Sequence, residues 1–121
     1  MRDWRKLDAF HVADELAIAV LTAMKEMPTQ QRYVLTNQIE RSALSVPSNI
    51  VEGCARHSEN EYLRFLDIAY GSACELQYQL SVAARLSYLS TERHEDLRDQ
   101  AQRAAKTLNK LIRAIRARPE A

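Results

Sequence analysis

Histidine and carboxylate side chains are the residues most able to bind a metal in this chain. The three histidines, His11, His57 and His94, fall on separate segments. Di-iron helical bundles use Glu-x-x-His pairs on two helices, and no glutamate here has a histidine three residues later. Asp8, His11 and Glu15 share one helical face, but a single face is a weak ligand set. The sequence therefore predicts no metal site and no cofactor.

Serine, cysteine and glycine residues show no catalytic pattern. The serines and cysteines lack a recognised nucleophile signature. The two glycines, Gly53 and Gly71, lie 18 positions apart, so no glycine-rich phosphate loop exists. Cys54 and Cys74 lie in predicted helices and are interpreted as free thiols packed as small hydrophobes. We predict no catalytic residue, and the chain is not expected to be an enzyme.

Basic residues dominate the C-terminal segment, where no acid occurs between Arg103 and Glu120. Helical spacing aligns most of these bases on one stripe, which could neutralise several phosphates. A structural alternative exists, because cations near a helix C-terminus also complement the helix dipole. No aromatic residues interleave with these basic residues, so binding would tolerate any nucleotide sequence. The candidate nucleic-acid-binding residues are Arg103, Lys106, Lys110, Arg113 and Arg116.

Length and composition indicate one globular domain over residues 1–121. Hydrophobic residues make up 46% of the chain and charged residues 27%, and the net charge is +1. These are ordinary globular values, and the scarcity of glycine and proline favours long helices. The N-terminus lacks an apolar signal core, and no run approaches the length of a membrane span. We therefore predict a cytoplasmic protein without a membrane partner.

Apolar residues recur at spacings of three and four, which predicts four amphipathic helices. They span about residues 7–25, 30–55, 58–87 and 92–116. Ser58 opens a capping box with Glu61, and Ser90 or Thr91 is expected to cap the last helix. Short connections between long helices are typical of an up-down-up-down antiparallel four-helix bundle, so the fold class is all-α.

The second predicted helix has an unusually wide apolar arc, which includes Leu44, Pro47, Val51 and Ala55. Such an arc suits a central helix or one that also meets another subunit. Pro47 cannot donate a backbone hydrogen bond, and because the pattern keeps its phase we expect a kink rather than a break. Ser45 or Ser48 is expected to satisfy the freed backbone groups.

A polar stripe and one glycine give two further candidates for structural roles. The stripe on the second helix consists of Arg41, Ser45, Asn49, Glu52 and Arg56. It is either a set of ion pairs on a solvated face or a hydrogen-bonded network at a subunit interface or bundle end. We favour a structural role. Gly71, inside the third helix, either allows close approach of a second subunit or is simply tolerated.

The segment from Gln38 to Gly53, QIERSALSVPSNIVEG, resembles the signature of the four-helix-bundle proteins encoded in intervening sequences of large-subunit ribosomal RNA genes. The likeness continues almost to the end of the chain, with departures at Phe10, Glu40 and Ser42. It implies a four-helix bundle that can assemble as a cyclic homopentamer. The chain is also similar to the accessory protein of diversity-generating retroelements, a pentameric barrel that binds nucleic acid. The residues implicated in the signature or an interface are Arg41, Ser45, Pro47, Asn49, Glu52, Gly53, Arg56 and Gly71.

Two functional hypotheses follow. The first is a non-enzymatic, homo-oligomeric protein that associates with RNA or DNA through the basic stripe of the last helix. The second is a scaffold for a protein partner, without a nucleic-acid role, that uses the wide apolar arc of the second helix and the face of Gly71.

Overall fold

A computed structural model describes residues 2–27 and 33–119, and these residues form an all-α bundle. A short 3-10 turn, Trp4–Lys6, precedes four helices: α1 Asp8–Met24, α2 Tyr33–Cys54, α3 Glu59–Arg85 and α4 Thr91–Arg116. Each helix contacts the two helices on either side of it, in the cyclic order α1, α2, α3, α4. The predicted up-down-up-down bundle is confirmed. The predicted start of the second helix at residue 30 lies outside the described residues.

The core fills the bundle axis in two layers, one toward each end. Every helix contributes the apolar stripe that its spacing predicts, and each fully buried Leu or Ile stabilises the fold by roughly 1.5–3 kcal/mol. The largest fully buried side chains are Leu16, Val20, Ile39, Val46, Ile50, Cys54, Leu66, Leu76, Leu80, Leu97 and Leu108.

Hydroxyl caps fix where α3 and α4 begin. The Ser58 side chain accepts a hydrogen bond from the Glu61 backbone N–H at 3.1 Å, which confirms the predicted cap. Ser90, rather than Thr91, caps α4 by accepting from the Arg93 N–H at 3.1 Å. At the other end of α3, Ser87 has a positive φ of 62°, and the Tyr88 N–H donates to the Ala83 carbonyl. This Schellman-type closure turns the chain into the α3–α4 connection.

Helix α2 continues through Pro47, as the unbroken apolar phase predicts. The prediction that Ser45 or Ser48 compensates for the missing proline N–H is wrong. Ser45 bonds instead to the Ser72 hydroxyl and the Asn49 amide, and Ser48 is exposed. A serine that faces a neighbouring helix finds side-chain partners there, which compete with its own backbone.

The apolar arc of α2 is narrower than predicted. Leu44 is 51% exposed, Ala55 is also exposed, and Val51 is half-buried, whereas Pro47 is buried. The reason is geometric: in a bundle of four helices, each helix is covered only on the part of its surface that faces its two neighbours.

The two cysteines have different environments. Both are free thiols, but Cys54 is buried and Cys74 is exposed. The prediction of a packed thiol is therefore confirmed at Cys54 and wrong at Cys74, which lies on the outer side of α3. None of the helices described in residues 2–27 and 33–119 combines the length and the apolarity that crossing a membrane would need.

Candidate functional site

Four cations in the second half of α4 form an exposed basic surface. Arg103, Lys106, Lys110 and Arg113 are all exposed. Within the described ranges, none of the four has a carboxylate oxygen within 4 Å. Their positive charges are therefore available to an external anion. We refer to these four residues as the basic surface.

Arg116, the fifth candidate, does not belong to this free set. Its guanidinium donates to the Asp67 carboxylate of α3 at 2.7 Å. Arg116 lies farther around the helix, toward α3, so its charge is largely satisfied within the bundle. The sequence could not show this, because Asp67 is 49 residues away along the chain.

The first half of α4 has the opposite character. Its acids are Glu92, Glu95, Asp96 and Asp99. The two arginines in this half are paired: Arg93 donates to Glu26 at 2.6 Å, and Arg98 to Asp99 at 3.2 Å. Charge is thus sorted along α4, acidic first and basic last.

A groove runs beside the basic surface, between α1 and α4, with a volume of about 910 Å³. Arg103, Lys106 and Lys110 line the α4 wall, and Lys6, from the 3-10 turn that precedes α1, also lines the groove. Lys6 is exposed and has no ion pair with any described residue. Sequence reasoning missed Lys6, because only the folding of α1 against α4 brings it there.

A polar seam joins α2 and α3. Ser42 donates to the Glu75 carboxylate at 2.9 Å, and the hydroxyls of Ser45 and Ser72 lie 2.8 Å apart. The Asn49 amide donates to both the hydroxyl and the carbonyl of Ser45. The predicted polar stripe therefore divides: Ser45 and Asn49 bond within the bundle, while Arg41 is exposed.

The end of α2 packs unusually close to α3. A Cβ built on Gly53 would lie 3.0 Å from the Phe65 Cβ and 3.3 Å from the Tyr62 carbonyl oxygen. Arg56, ion-paired with Glu52, places its guanidinium 4.7 Å from the centre of the Phe65 ring. Gly53 therefore permits the contact, and the adjacent charged pair covers the aromatic ring.

Gly71 lies on the outward side of α3, away from the bundle core. It is exposed, and a Cβ built on it would meet nothing within 4 Å. Exposed apolar side chains lie nearby on the same outward face: Ile68 is 40% exposed and Tyr78 is 65% exposed. We call Ile68, Gly71 and Tyr78 the outer α3 face.

The buried titratable groups are held in their neutral forms. Burial raises the pKa of Tyr62 to about 12, and burial also raises the pKa of the Cys54 thiol. A cysteine reacts as the thiolate, so Cys54 is inert at neutral pH. Among the residues that the structure describes, no three His, Cys, Asp or Glu side chains come together as a metal site.

The comparisons with known proteins agree with this architecture. The model of the 23S rRNA-intervening sequence protein family matches residues 5–110. The chain belongs to this family. It is also similar to a crystal structure of a protein with unknown function from the S23 ribosomal protein family of Bacteroides thetaiotaomicron VPI-5482. The two chains share 27% identity and a TM-score of 0.81, over 86% of this chain and 97% of that one. No curated protein matches.

In this member of the family, the signature segment between Gln38 and Gly53 serves α2–α3 packing. Ser42, Ser45 and Asn49 bond along the seam, and Gly53 sets the close approach at its end. The resemblance identified from these residues is confirmed by the family match. The basic surface lies on α4, entirely outside that segment.

Proposed function

We propose that this chain is a non-enzymatic, homo-oligomeric protein of the cytoplasm that binds the phosphate backbone of RNA or DNA through its basic surface. The observation that supports the proposal most strongly is the set of four exposed cations on one side of α4 that form no ion pair within residues 2–27 and 33–119. From Arg103 to Arg113 the helix rises about 15 Å, long enough to follow several consecutive phosphates of a strand.

The helix dipole does not account for the basic surface. Stabilisation of cations by the dipole is confined to the last turn of a helix. Only Arg113 and Arg116 lie in that turn. Arg103 and Lys106 come two to four turns earlier, so their unpaired charges favour an external anion. The family's name, which refers to an intervening sequence of 23S rRNA, is compatible with a nucleic-acid role.

Self-assembly is the second part of the proposal. The resemblance implies a homopentamer, and cyclic assembly would place several copies of the basic surface in one particle. We assign the contact to the outer α3 face, where Gly71 leaves open space between exposed apolar side chains. If the protein assembles but does not bind nucleic acid, the alternative function, a scaffold for a protein partner, takes its place.

Salt-dependent titration tests the nucleic-acid proposal. Nuclease-treated protein is titrated against a labelled structured RNA and a duplex DNA at low and physiological salt. With four phosphate contacts, we expect the slope of log K against log salt to be about −3 to −4, and affinity to fall about a hundredfold between 50 and 200 mM salt. Absence of binding at both salts by a folded, oligomeric sample would contradict the proposal.

Gly71→Leu tests the assembly contact. A Cβ at this position meets nothing within 4 Å among the described residues, so there is room for a side chain on the exposed surface and we expect an unchanged helical circular dichroism spectrum. At the proposed contact the leucine side chain would fill the space that the neighbouring subunit occupies. We therefore expect the mass measured by analytical ultracentrifugation to fall to that of a monomer. Glu95→Leu, an exposed α4 substitution, serves as the control. An unchanged mass for Gly71→Leu would remove the outer α3 face from the proposal.

A further inference from the structure

The groove between α1 and α4 has two oppositely charged walls that do not neutralise each other. Asp8 and Glu15 lie on the α1 wall, and both are exposed. Neither carboxylate has a cation within 4 Å among the residues described, although Arg103 and Lys110 line the facing wall. The groove is therefore wide enough to keep both sets of charges free for a ligand between them.

Apolar side chains form the floor of this groove. Leu7 and Val12 from the α1 side and Leu111 from α4 are each half-buried. A phosphate group gains nothing from such a floor, whereas the flat face of a nucleobase does. The groove thus offers a surface for bases directly beside a surface for phosphates.

His11 adds a planar ring to the same groove. Its Nε2 lies 2.7 Å from the Arg5 carbonyl oxygen, which can only accept, so Nε2 carries a proton and donates. The Phe10 ring packs against it at a steep angle, with ring centres 5.5 Å apart and ring planes 74° apart. These two contacts hold an exposed aromatic surface in place, and unpaired bases stack on such rings.

Because these three surfaces lie side by side, we propose that the α1–α4 groove binds a single strand, with its backbone along the basic surface and its bases in the groove. This inference rests on the proposed function and names its ligand class. A duplex keeps its bases stacked inside, so it would use only the basic surface. The carboxylates of Asp8 and Glu15 repel phosphates, which places the backbone on the α4 side.

The α1 carboxylates also give the groove a base preference. Cytosine presents an exocyclic amino group that a carboxylate accepts from, whereas uracil presents a carbonyl oxygen at the same position. Glu15, the last α1 residue of the groove lining, therefore favours cytosine over uracil at that end of the groove. Oligocytidylate and oligouridylate of equal length have the same backbone and differ only in the base, at C4 and at N3, so they are matched probes.

The experiment measures the affinity of both oligomers, and of a duplex of equal length, by fluorescence anisotropy. We expect the single strands to bind at least about fivefold more tightly than the duplex, as one stacked base contributes. We expect His11→Ala to remove that advantage without weakening the duplex. Oligocytidylate should exceed oligouridylate by about fivefold, and Glu15→Ala should abolish this ratio.

Asp14→Ala is the matched control, since Asp14 is an exposed carboxylate on the same helix but outside the groove lining. It should leave the cytosine preference unchanged. Equal binding of single strands and duplex, or the same cytosine preference in Glu15→Ala and Asp14→Ala, would overturn the groove assignment while the proposed function stands. Failure of every probe to bind would overturn both.

Discussion

Replacement of Lys106, Lys110 and Arg113 by alanine should weaken nucleic-acid binding about a hundredfold at physiological salt. Each phosphate contact contributes about 0.9 to the slope of log K against log salt. Loss of three contacts should therefore reduce the slope by about 2.7, and the affinity difference between variant and wild type should shrink as salt rises. All three side chains are exposed and lack ion pairs with described residues, so the fold should be unaffected.

A second triple variant separates this surface from overall charge. Lys25, Arg85 and Arg98 lie outside the basic surface, and their replacement by alanine removes the same net charge. Arg98 does lose a surface ion pair with Asp99, but such pairs contribute little to stability. We expect this control to lose far less affinity and to keep the wild-type slope. Equal losses in the two variants would mean that diffuse charge, rather than the α4 surface, attracts the nucleic acid.

Gly53→Ala should lower the free energy of unfolding by roughly 1–3 kcal/mol, as overpacking of a close contact does. The added Cβ would press on the Phe65 Cβ at 3.0 Å and on the Tyr62 carbonyl oxygen at 3.3 Å. Neither atom is at the free end of a flexible side chain, so α2 and α3 must separate to relieve the contact. That separation would also stretch the hydrogen bond between Ser45 and Ser72.

Gly71→Ala provides the opposite case in the same protein. Its Cβ meets nothing within 4 Å in the subunit, and alanine is favoured over glycine in a helix interior by about 1 kcal/mol. We expect the free energy of unfolding to rise by up to that amount. Urea denaturation at several protein concentrations separates subunit stability from association. If Gly53→Ala is as stable as the wild type, the close contact is not the reason for that glycine.

The fold could be predicted from the sequence because each helix carries its own signals. The spacing of residues such as Leu66, Leu76 and Leu80 selects the buried face of α3, and Ser58 marks where that helix begins. The exposure of Leu44 could not be predicted in this way. It depends on how much of α2 the neighbouring helices cover, which is a property of the assembled ring.

The candidate site was predictable only in part. The basic surface follows from spacing along one helix, and four of the five nominated cations are exposed and have no ion pair with a described residue. Two features involve residues far apart in sequence. They are the ion pair between Arg116 and Asp67 and the position of Lys6 in the lining of the groove. Likewise, Gly53 and Gly71 both lie within predicted helices, and only the packing distinguishes a close contact from an open surface.

The sorting of charge along α4 has a consequence for how the molecule meets a partner. Up to Asp99 the helix carries four acids and two arginines, and every charged residue from Arg103 to Arg116 is basic, over a total length of about 39 Å. α4 therefore has a net negative first part and a net positive last part, which is a separation of charge along its axis. The electric field of a polyanion exerts a torque on these separated charges, and the torque turns the basic half of α4 toward the partner before contact. Collisions would then begin in the productive orientation, so added salt should slow association more than it hastens release.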